Sequence, residues 1–526
     1  MGTSLSVILA RIKQLLKQQR QLLLIFITIL FFFWGFLPEI ALAKTQTQPV
    51  ASIQPFLDRV IKNLTEFRLD NGMKFIVLER HQAPVVSFLT YADVGGVDEP
   101  TGKTGVAHFL EHLAFKGTTR IGTIDYKAEK PLLDKLEQLD SQIRAAKAAN
   151  KTDEVAKLQA QFQQIESEAV KLVKQNELGQ IVEQAGGVGL NANTSTEATR
   201  YFYSFPANKL ELWMSLESER FLEPVLEREF FKEKEVILEE RRLRVENSPI
   251  GLMIEKFIDA AFKVHPYRRP VIGYDEDIRN LTPADIRNFF ATYYVPSNLT
   301  IAVVGDVNPT EVRRLAQIYF GRYKSRPKPK SQIAAEPKQN SSREVTLNLP
   351  SQPWYLEGYH RPAITHPDEA VYDIIARLLS DGRTSRLYKS LVEQKRVALT
   401  AQGFSGFPGD KYPNLMLFYA LTAPGRSVDE VATLLRAEIE RLKTQPVTEA
   451  ELKRVKTQAR AELIEALNSN MGMAQQLLEY EVKTGSWRNL FKQLERLESV
   501  GASDVQRVAQ ATFTTQNRTI GKLLPK

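Results

Sequence analysis

The chain has 526 residues, of which 43% are hydrophobic, and this is enough material for two or more well-packed domains. Its formal net charge is +8, but residues 1–43 carry a net +3 and residues 322–343 a net +6, so the remainder is close to neutral. A nucleic-acid interface would place its basic residues on a folded element, and we therefore expect no nucleic-acid partner. The absence of cysteine excludes disulfides, thiolate metal ligands and a cysteine nucleophile.

The leader, residues 1–43, has the three parts of a secretory signal peptide. The basic stretch Arg11–Arg20 precedes the apolar run Leu22–Leu37, Pro38 ends that run, and Ala41-Leu42-Ala43 supplies the small residues that a signal peptidase reads. The run is shorter than the roughly 20 residues of a membrane-spanning helix. We predict cleavage after Ala43, export to a periplasm, a lumen or the extracellular space, and a mature chain without a membrane span. The alternative is an uncleaved membrane anchor.

The chain after the leader begins with polar residues 44–60, which predict a tether, and the first folded half is placed at residues 61–322. From residue 67 to 95, β-branched and aromatic residues predict two strands joined at Asp70-Asn71-Gly72, where the turn requires a positive φ. A helix is predicted to begin near Gly105.

Residues 126–178 predict an antiparallel helical hairpin inserted in the first half. Apolar residues recur at helical spacing from Leu132 to Ile143 and again from Val155 to Leu172, with a polar break between the two runs. The many Lys, Glu and Gln residues around them favour a solvated insertion with a structural role.

The basic, Pro/Ser-rich stretch 323–344 has neither helical nor strand periodicity, and it predicts a linker to a second half at residues 345–526. The two halves end alike, because the segment that begins near Asp285 is matched by one that begins near Asp504, at an offset of 219 positions. We therefore predict an α+β fold of two related halves, each a mostly antiparallel sheet with helices packed on one face.

The chemistry of the chain is concentrated in His108-Phe109-Leu110-Glu111-His112, inside a segment of helical character. Positions i and i+4 lie on one face of a helix, so both imidazoles can bind one ion, and Glu111 lies on the same side. This is the inverted form of a zinc-peptidase motif in which the glutamate activates water. A surface cluster of two histidines and a glutamate is the structural alternative.

A catalytic zinc site usually needs a third protein ligand and keeps its fourth position for water. His265 and His360 lie in turn-like segments, where ordinary surface roles are expected. The segment 230–247 predicts a long helix on which Glu233 and Glu240 share a face, seven residues apart. Carboxylate-rich helices are commonly just solvated, so the spacing alone leaves the third ligand open.

These motifs together resemble the pitrilysin family of zinc peptidases, which includes insulin-degrading enzyme and mitochondrial processing peptidase. The resemblance is carried by the histidine motif, then Asn191-Ala192-Asn193-Thr194-Ser195, then Glu233 and Glu240, in that order, and it covers nearly the whole chain after the leader. A non-metal second half follows in such proteins. The resemblance therefore implies a zinc-binding first half and a metal-free second half.

The resemblance also implies roles for individual residues. His108, His112 and Glu240 would hold Zn²⁺, Glu111 would act as the general base, and Glu233 would be a supporting carboxylate that faces the same site. Asn191 and Ala192 would lie on an edge strand that pairs with an extended peptide substrate, which must be short or unfolded. Zinc lowers the pKa of bound water to about 7 and polarises the scissile carbonyl, and Glu111 transfers the proton to the leaving amine.

The chain departs from the family pattern in two places. His112 and Glu240 are 128 positions apart, which is longer than usual by roughly the size of the hairpin insertion. Family members that work as one unit place an Arg and a Tyr, seven apart, in the second half to bind substrate, whereas this chain has Val392 and Leu399 there. Arg386 or Tyr388 could substitute, but their spacing gives no support.

Two functions follow from this reading. The first is an exported zinc endopeptidase of the two-chain, processing-peptidase type, which cleaves short or unfolded peptides in an enclosed chamber formed with a related subunit that carries the Arg/Tyr pair. The second is a non-catalytic peptide-binding or assembly subunit on the same fold. The intact zinc motif favours the first.

One further motif, Gly96 to Thr104, resembles a phosphate-binding loop. Its spacer between the glycines is five residues rather than four, and the zinc-motif helix follows at once. We therefore expect no nucleotide site there.

Overall fold

The computed structural model describes residues 54–330 and 332–526. The predicted leader and tether residues 44–53 lie outside the described residues. The rest of the predicted tether is not an irregular segment, because helix α1 spans Gln54–Lys62 and buries Leu57 and Val60. In the described part of the chain, no helix combines the length and the apolar character needed to cross a membrane.

The first half contains strands and helices in alternating groups. Its strands are β1 (Leu64–Arg68), β2 (Lys74–Glu79), β3 (Val85–Ala92), β4 (Val188–Thr194), β5 (Thr199–Pro206) and β6 (Leu299–Gly305). Its helices after α1 are α2 (Val106–Leu113), α3 (Tyr126–Ala148), α4 (Thr152–Val170), α5 (Glu177–Gln184), α6 (Leu210–Leu222), α7 (Phe230–Arg241), α8 (Pro249–Ala261), α9 (Asp275–Asn280), α10 (Pro283–Tyr293) and α11 (Pro309–Tyr319).

The second half also consists of both strands and helices. Its strands are β7 (Arg343–Asn348), β8 (Trp354–Arg361), β9 (Ala398–Phe407), β10 (Asn414–Thr422) and β11 (Arg518–Leu524). Its helices are α12 (Glu369–Ser380), α13 (Val428–Thr444), α14 (Glu449–Asn468), α15 (Asn470–Thr484), α16 (Arg488–Ser499) and α17 (Ala502–Thr512).

The two sheets share one topology, which confirms the prediction of related α+β halves. The strand order is β1-β2-β6-β3-β5-β4 in the first half and β7-β11-β8-β10-β9 in the second. In each half the last strand, β6 or β11, pairs in parallel with one neighbour and antiparallel with the other. The remaining pairs are antiparallel, and β1 is the extra strand of the first half.

The repeated ends of the two halves use the same hydrogen bonds. The amide of Asn298 donates to the carbonyl oxygen of Tyr293, at the end of α10, and the amide of Asn517 donates in the same way to Thr512, at the end of α17. Each asparagine therefore fixes the turn from the last helix of its half into the closing strand.

The region predicted as two strands from residue 67 contains parts of three, because a strand already begins at Leu64. The predicted turn at Asp70-Asn71-Gly72 joins β1 to β2, and Gly72 has a φ of 98°, as the turn requires. A second reversal, between Glu79 and Val85, gives β3. The alternation of residues identified strands here but did not locate this second break.

The two halves are joined by an exchange of helices. Helix α8 of the first half packs on the second sheet, where Phe257 lies directly over Gly358 and Gly521. Helix α15 of the second half packs on β3 and β6 of the first sheet. Each sheet therefore has its own helices on one face, as predicted, and a helix of the other half on the opposite face.

The predicted insertion is an antiparallel pair of helices, α3 and α4, with Asn150 at a φ of 55° in the reversal between them. The predicted linker has no helix or strand in its described residues from 324 to 342. It is nevertheless packed, because the carboxylate of Glu336 accepts hydrogen bonds from the backbone N–H groups of three consecutive residues, Lys263, Val264 and His265.

The hairpin is held at its base by a fully buried ion pair. Arg228 donates to both carboxylate oxygens of Glu129 on α3, at 2.7 and 2.8 Å, and neither side chain is exposed. The same guanidinium donates to the backbone carbonyl groups of Lys116, Thr118 and Ile121, in the loop that follows α2. One side chain thus connects the insertion to the segment that leaves the histidine helix.

We predict that Arg228→Ala lowers the free energy of unfolding by about 3–5 kcal/mol, because it leaves a buried carboxylate without its partner. Arg279→Ala is the control, since its ion pair with Asp275 is largely exposed, and we expect a loss of about 1 kcal/mol or less. Chemical denaturation of both variants measures the difference. Equal losses would show that the buried pair does not hold the insertion.

Candidate metal centre

The histidine helix α2 begins at a position that only glycine fills easily. Gly105 has a φ of 88°, and a side chain there would meet the carbonyl oxygen of Ile272 at 2.7 Å. The buried carboxylate of Glu99 accepts hydrogen bonds from the N–H groups of Gly105 and Ala107, both at 3.0 Å. Burial raises the pKa of Glu99 to about 8. In the segment that resembles a phosphate loop, the carboxyl group of Glu99 thus already binds the N–H groups that a phosphate would use.

Helix α2 is fixed by its apolar residues against α7, the second helix of the site. Phe109 and Phe230 are fully buried and stack with their ring centroids 4.7 Å apart. Val106, Leu110 and Leu113 belong to the same core. This packing presents the polar faces of α2 and α7 to one another.

The structure brings the three predicted metal ligands, His108, His112 and Glu240, together. One carboxylate oxygen of Glu240 lies 3.8 Å from Nε2 of His108 and 3.6 Å from Nε2 of His112. One ligand atom from each of the three residues can be chosen so that all lie within 4.8 Å of one another. No other such group of His, Asp or Glu side chains occurs among the described residues.

These three side chains fit a zinc ion. Their separations are too long for hydrogen bonds, but they approach the roughly 3.4 Å between two ligands of a tetrahedral ion with bonds of about 2.1 Å. Burial and the neighbouring His112 lower the pKa of His108 to about 3, so its imidazole is neutral, which is the metal-binding form. Two imidazoles and a carboxylate are also a donor set known from catalytic zinc sites.

Glu233 lies beside His112 and orients its ring. It is buried, its Oε2 lies 3.1 Å from Nδ1 of His112, and its other oxygen accepts from Lys116 at 2.5 Å. Burial acts to raise the pKa of Glu233, but the hydrogen bonds from His112 and Lys116 outweigh it and lower that pKa. An ionised carboxylate at Nδ1 leaves Nε2 of His112 directed toward Glu240.

Glu111 is held by the end of the edge strand β4. The hydroxyl of Thr194 donates to Oε2 of Glu111 at 2.5 Å. Burial raises the pKa of Glu111, and the hydrogen bond from Thr194 opposes that shift. The carboxyl group therefore lies on the same side of α2 as the histidines, in a partly dehydrated position that suits proton transfer.

Asn191 and Ala192 lie on β4, which is at the edge of the first sheet and pairs only with β5 there. Asn191 is exposed, and its side-chain oxygen accepts a hydrogen bond from the N–H of Ala192 at 2.9 Å. Ala192 itself is buried against the core. The strand is irregular between Val188 and Asn191, where the register with β5 shifts.

Three residues that support the site were not found from the sequence: Glu99 at the start of α2, Thr194 at Glu111, and Arg244, which pairs with Glu240 at 2.7 Å. Arg244 stands four residues after Glu240, a spacing that predicts a helical ion pair. It lies in a π-helical turn over Arg242–Glu246 rather than in the long α-helix predicted to residue 247. Thr194 is 83 positions from Glu111, and neither it nor Glu99, which lies six residues before Gly105, had a signal in the sequence pattern.

In the second half, the structure shows the surroundings of Val392 and Leu399, which stand where the family pattern has an Arg and a Tyr. Val392 packs against the core of that half, while Leu399 is 50% exposed on the edge strand β9. Arg386 is buried and donates to both oxygens of Glu451, at 2.8 and 3.0 Å, so this guanidinium is already engaged.

The prediction that His265 and His360 have ordinary surface roles is wrong for both residues. His265 is only 2% exposed, and its Nδ1 accepts a hydrogen bond from the backbone of Tyr267. His360 is partly buried, and its Nε2 lies 3.0 Å from the carbonyl oxygen of Ala261. Both imidazoles belong to the contact between the halves, where α8 meets the second sheet, and neither reaches the metal centre.

Comparison with known proteins decides the family. Residues 74–164 and 167–275 match the family described as Insulinase (Peptidase family M16), and residues 280–459 match the Peptidase M16 inactive domain. The zinc protease PqqE of Helicobacter pylori is 30% identical over 462 residues, which cover 86% of this chain and 91% of that protein. The chain belongs to the M16 peptidase family.

Two further comparisons cover most of the chain. The crystal structure of a protease from Helicobacter pylori matches with a TM-score of 0.75 and 29% identity, covering 88% of this chain and 99% of that one. The probable mitochondrial-processing peptidase subunit beta of Arabidopsis thaliana is 23% identical over 473 residues, 87% of this chain and 77% of that protein. Both confirm that the similarity extends through the two halves.

We predict that Glu240→Gln lowers zinc affinity more than tenfold, because changes to groups that only support metal ligands already cost about 10–100-fold. Glu239→Gln is the matched control, since its side chain points about 100° away around α7 and pairs with Arg242. Metal content after dialysis against a competing chelator measures both. Equal retention of zinc by the two variants would remove Glu240 from the site.

Proposed function

We propose that this chain is an exported zinc endopeptidase that hydrolyses short or unfolded peptides in a chamber closed by a partner subunit. The observation that carries the proposal is the convergence of His108, His112 and Glu240 around one point, with Glu111 on the same face of α2. Names of relatives such as PqqE, a zinc protease, support the metal and the reaction class.

When bound, zinc supplies a Lewis acid that polarises a carbonyl group and makes water more acidic. His108, His112 and Glu240 would hold it, and Glu233 would keep His112 in the tautomer whose Nε2 is free. Glu111 accepts the proton of the attacking water and returns it to the leaving amine, while Thr194 orients the carboxylate through its hydrogen bond.

The substrate would bind as an additional strand along β4. This strand ends at Thr194, directly beside Glu111, so a peptide paired with it reaches the metal centre in an extended form. Ala192 would offer backbone hydrogen-bonding groups, and Asn191, whose side chain now accepts from the Ala192 N–H, would move aside as the peptide pairs. A folded protein cannot present such a strand, which restricts substrates to short or unfolded chains.

We predict that Glu111→Gln retains zinc but loses about 10²–10⁴-fold in peptide turnover, because only the general base is removed. Glu183→Gln on the exposed face of α5 is the control and should keep both. Zinc content and the hydrolysis of a fluorogenic peptide are measured on the same samples. Undiminished turnover by Glu111→Gln would contradict this mechanism.

The second candidate is a non-catalytic peptide-binding or assembly subunit. It is favoured by the second half, where Val392 and Leu399 replace residues that would bind substrate, and by the match of residues 280–459 to a domain described as inactive. Against it stands the complete set of zinc-binding side chains, which a subunit without activity does not require. Peptide binding without any hydrolysis by the zinc-loaded complex would favour this candidate.

A partner subunit would supply what the second half lacks. Neither valine nor leucine can donate a hydrogen bond to a substrate carbonyl or to the developing oxyanion. Arg386 cannot substitute while Glu451 engages its guanidinium. The similarity to a processing-peptidase protein named as a subunit supports a heterodimer with a related chain that carries an Arg/Tyr pair.

We predict that the purified chain binds zinc but cleaves peptides slowly, and that an equimolar related chain with the Arg/Tyr pair raises the rate at least tenfold. The reason is that a missing oxyanion donor costs about 10²–10³-fold in turnover. Rates are compared for the chain alone, with the partner, and with a partner whose Arg is replaced by Ala. Full activity of the chain alone, unchanged on addition, would contradict the two-chain arrangement.

Export is proposed from the leader, which lies outside the described residues. The order of its basic, apolar and small residues supports a signal peptide cleaved after Ala43. Sequencing the amino terminus of the protein recovered from cells should give Lys44 or a residue close to it. A terminus at Met1 or Gly2 would instead support the uncleaved membrane anchor.

A further inference from the structure

The hairpin insertion and the outer side of α7 enclose a groove that the proposed reaction does not use. It has a volume of about 800 Å³ and is lined by apolar side chains from both elements, among them Leu133, Leu136, Val170, Phe230, Phe231 and Val236. Val170 and Val236 are each 44% exposed, on opposite walls. An open apolar surface of this kind on a soluble protein commonly marks an interaction site.

The rim of the groove is acidic. Its lining includes five glutamates, Glu166, Glu227, Glu229, Glu235 and Glu239, and a single lysine, Lys232. Three of these glutamates already have ion-pair partners: Glu227 pairs with Arg287, Glu229 with Lys116 and Lys232, and Glu239 with Arg242. No ion pair within the described residues engages Glu166 or Glu235.

A second cavity, of about 670 Å³, adjoins the first along the hairpin, and its lining includes the basic residues Arg144, Lys147, Lys234 and Arg279 as well as Glu166 and Glu235. These two glutamates therefore stand where the two cavities meet, one on α4 and the other on α7. Glu166 is half-buried, and this burial raises its pKa. A cation placed beside Glu166 would favour the ionised form of its carboxyl group.

We propose that this groove docks an amphipathic helix of another protein, with apolar side chains in the cavity and a Lys or Arg at the acidic rim, beside Glu166. The occupant is thus defined by two complementary features, an apolar stripe and flanking positive charge. A helix suits the groove because both walls are themselves helices, and a third helix can pack between them.

The groove and the metal centre share one helix. On α7, Lys232, Glu235, Val236 and Glu239 line the groove, while Glu233 and Glu240 face the histidines, roughly 100° away around the helix axis. Val236 stands three residues after Glu233 and four before Glu240. A helix docked against this wall would therefore contact the element that positions two carboxylates of the site.

The experiment uses the absence of cysteine from the chain. In the full-length Glu111→Gln background, which prevents cleavage, Ser167→Cys places an environment-sensitive dye in the groove lining, and Ser503→Cys places it on α17 as a remote control. The probes are two synthetic helical peptides of about 15 residues with the same leucine stripe, one flanked by lysines and the other by glutamates.

The lysine peptide should change the dye signal at position 167 with at least tenfold tighter binding than the glutamate peptide, and leave position 503 unchanged. Glu166→Gln with Glu235→Gln should weaken its binding at least tenfold, whereas Glu183→Gln with Glu495→Gln, two exposed glutamates outside the groove, should not. Equal binding of both peptides, or insensitivity to the first pair of substitutions, would overturn the proposal. So would a signal produced by lipid vesicles and not by the peptide. None of these readouts depends on the peptidase activity.

Discussion

The site depends on one contact between two helices, the stacking of Phe109 on Phe230. Both rings are fully buried, and each lies next to the polar face of its own helix. A rotation of either helix by one residue would turn its ligands about 100° away, so the stacked pair sets which side chains of α2 and α7 meet. With this register, His108 and His112 face Glu240, Glu233 reaches His112, and Glu111 remains free to contact Thr194.

Residues around the Phe109–Phe230 contact hold both ends of helix α2 in place. Glu99 binds the first N–H groups of α2, while Arg228 ties the loop after α2 to the hairpin. Helix α7 is enclosed by the core on one side and by the hairpin on another. The insertion therefore lies against the helix that carries Glu233 and Glu240, although it contributes no residue to the metal centre itself. This arrangement explains how a long insertion between His112 and Glu240 leaves the ligand geometry intact.

The features that could be predicted from the sequence are those that leave a local or repeated residue pattern. The i, i+4 spacing of His108 and His112 gave their common face, and the repeated asparagines, Asn298 and Asn517, indicated the duplicated halves. The third ligand, Glu240, came from resemblance, because its partners are 128 and 132 positions away and no spacing rule links them. Glu99 is near in sequence to the N–H groups that it binds, but no pattern marked that contact. Thr194 and the exchange of helices between the halves depend on long-range packing. His265 was misjudged for the same reason, since its burial comes from the contact of α8 with the second sheet.

The most direct test of the account is X-ray absorption spectroscopy at the zinc edge of the purified full-length protein. Two imidazole nitrogens at about 2.0–2.1 Å and carboxylate oxygen at about 2.0–2.2 Å are expected. His112→Ala should lose the bound zinc and with it the zinc edge, while His265→Ala should keep both. A spectrum without imidazole scattering, or one that His112→Ala leaves unchanged, would contradict the assignment of this centre.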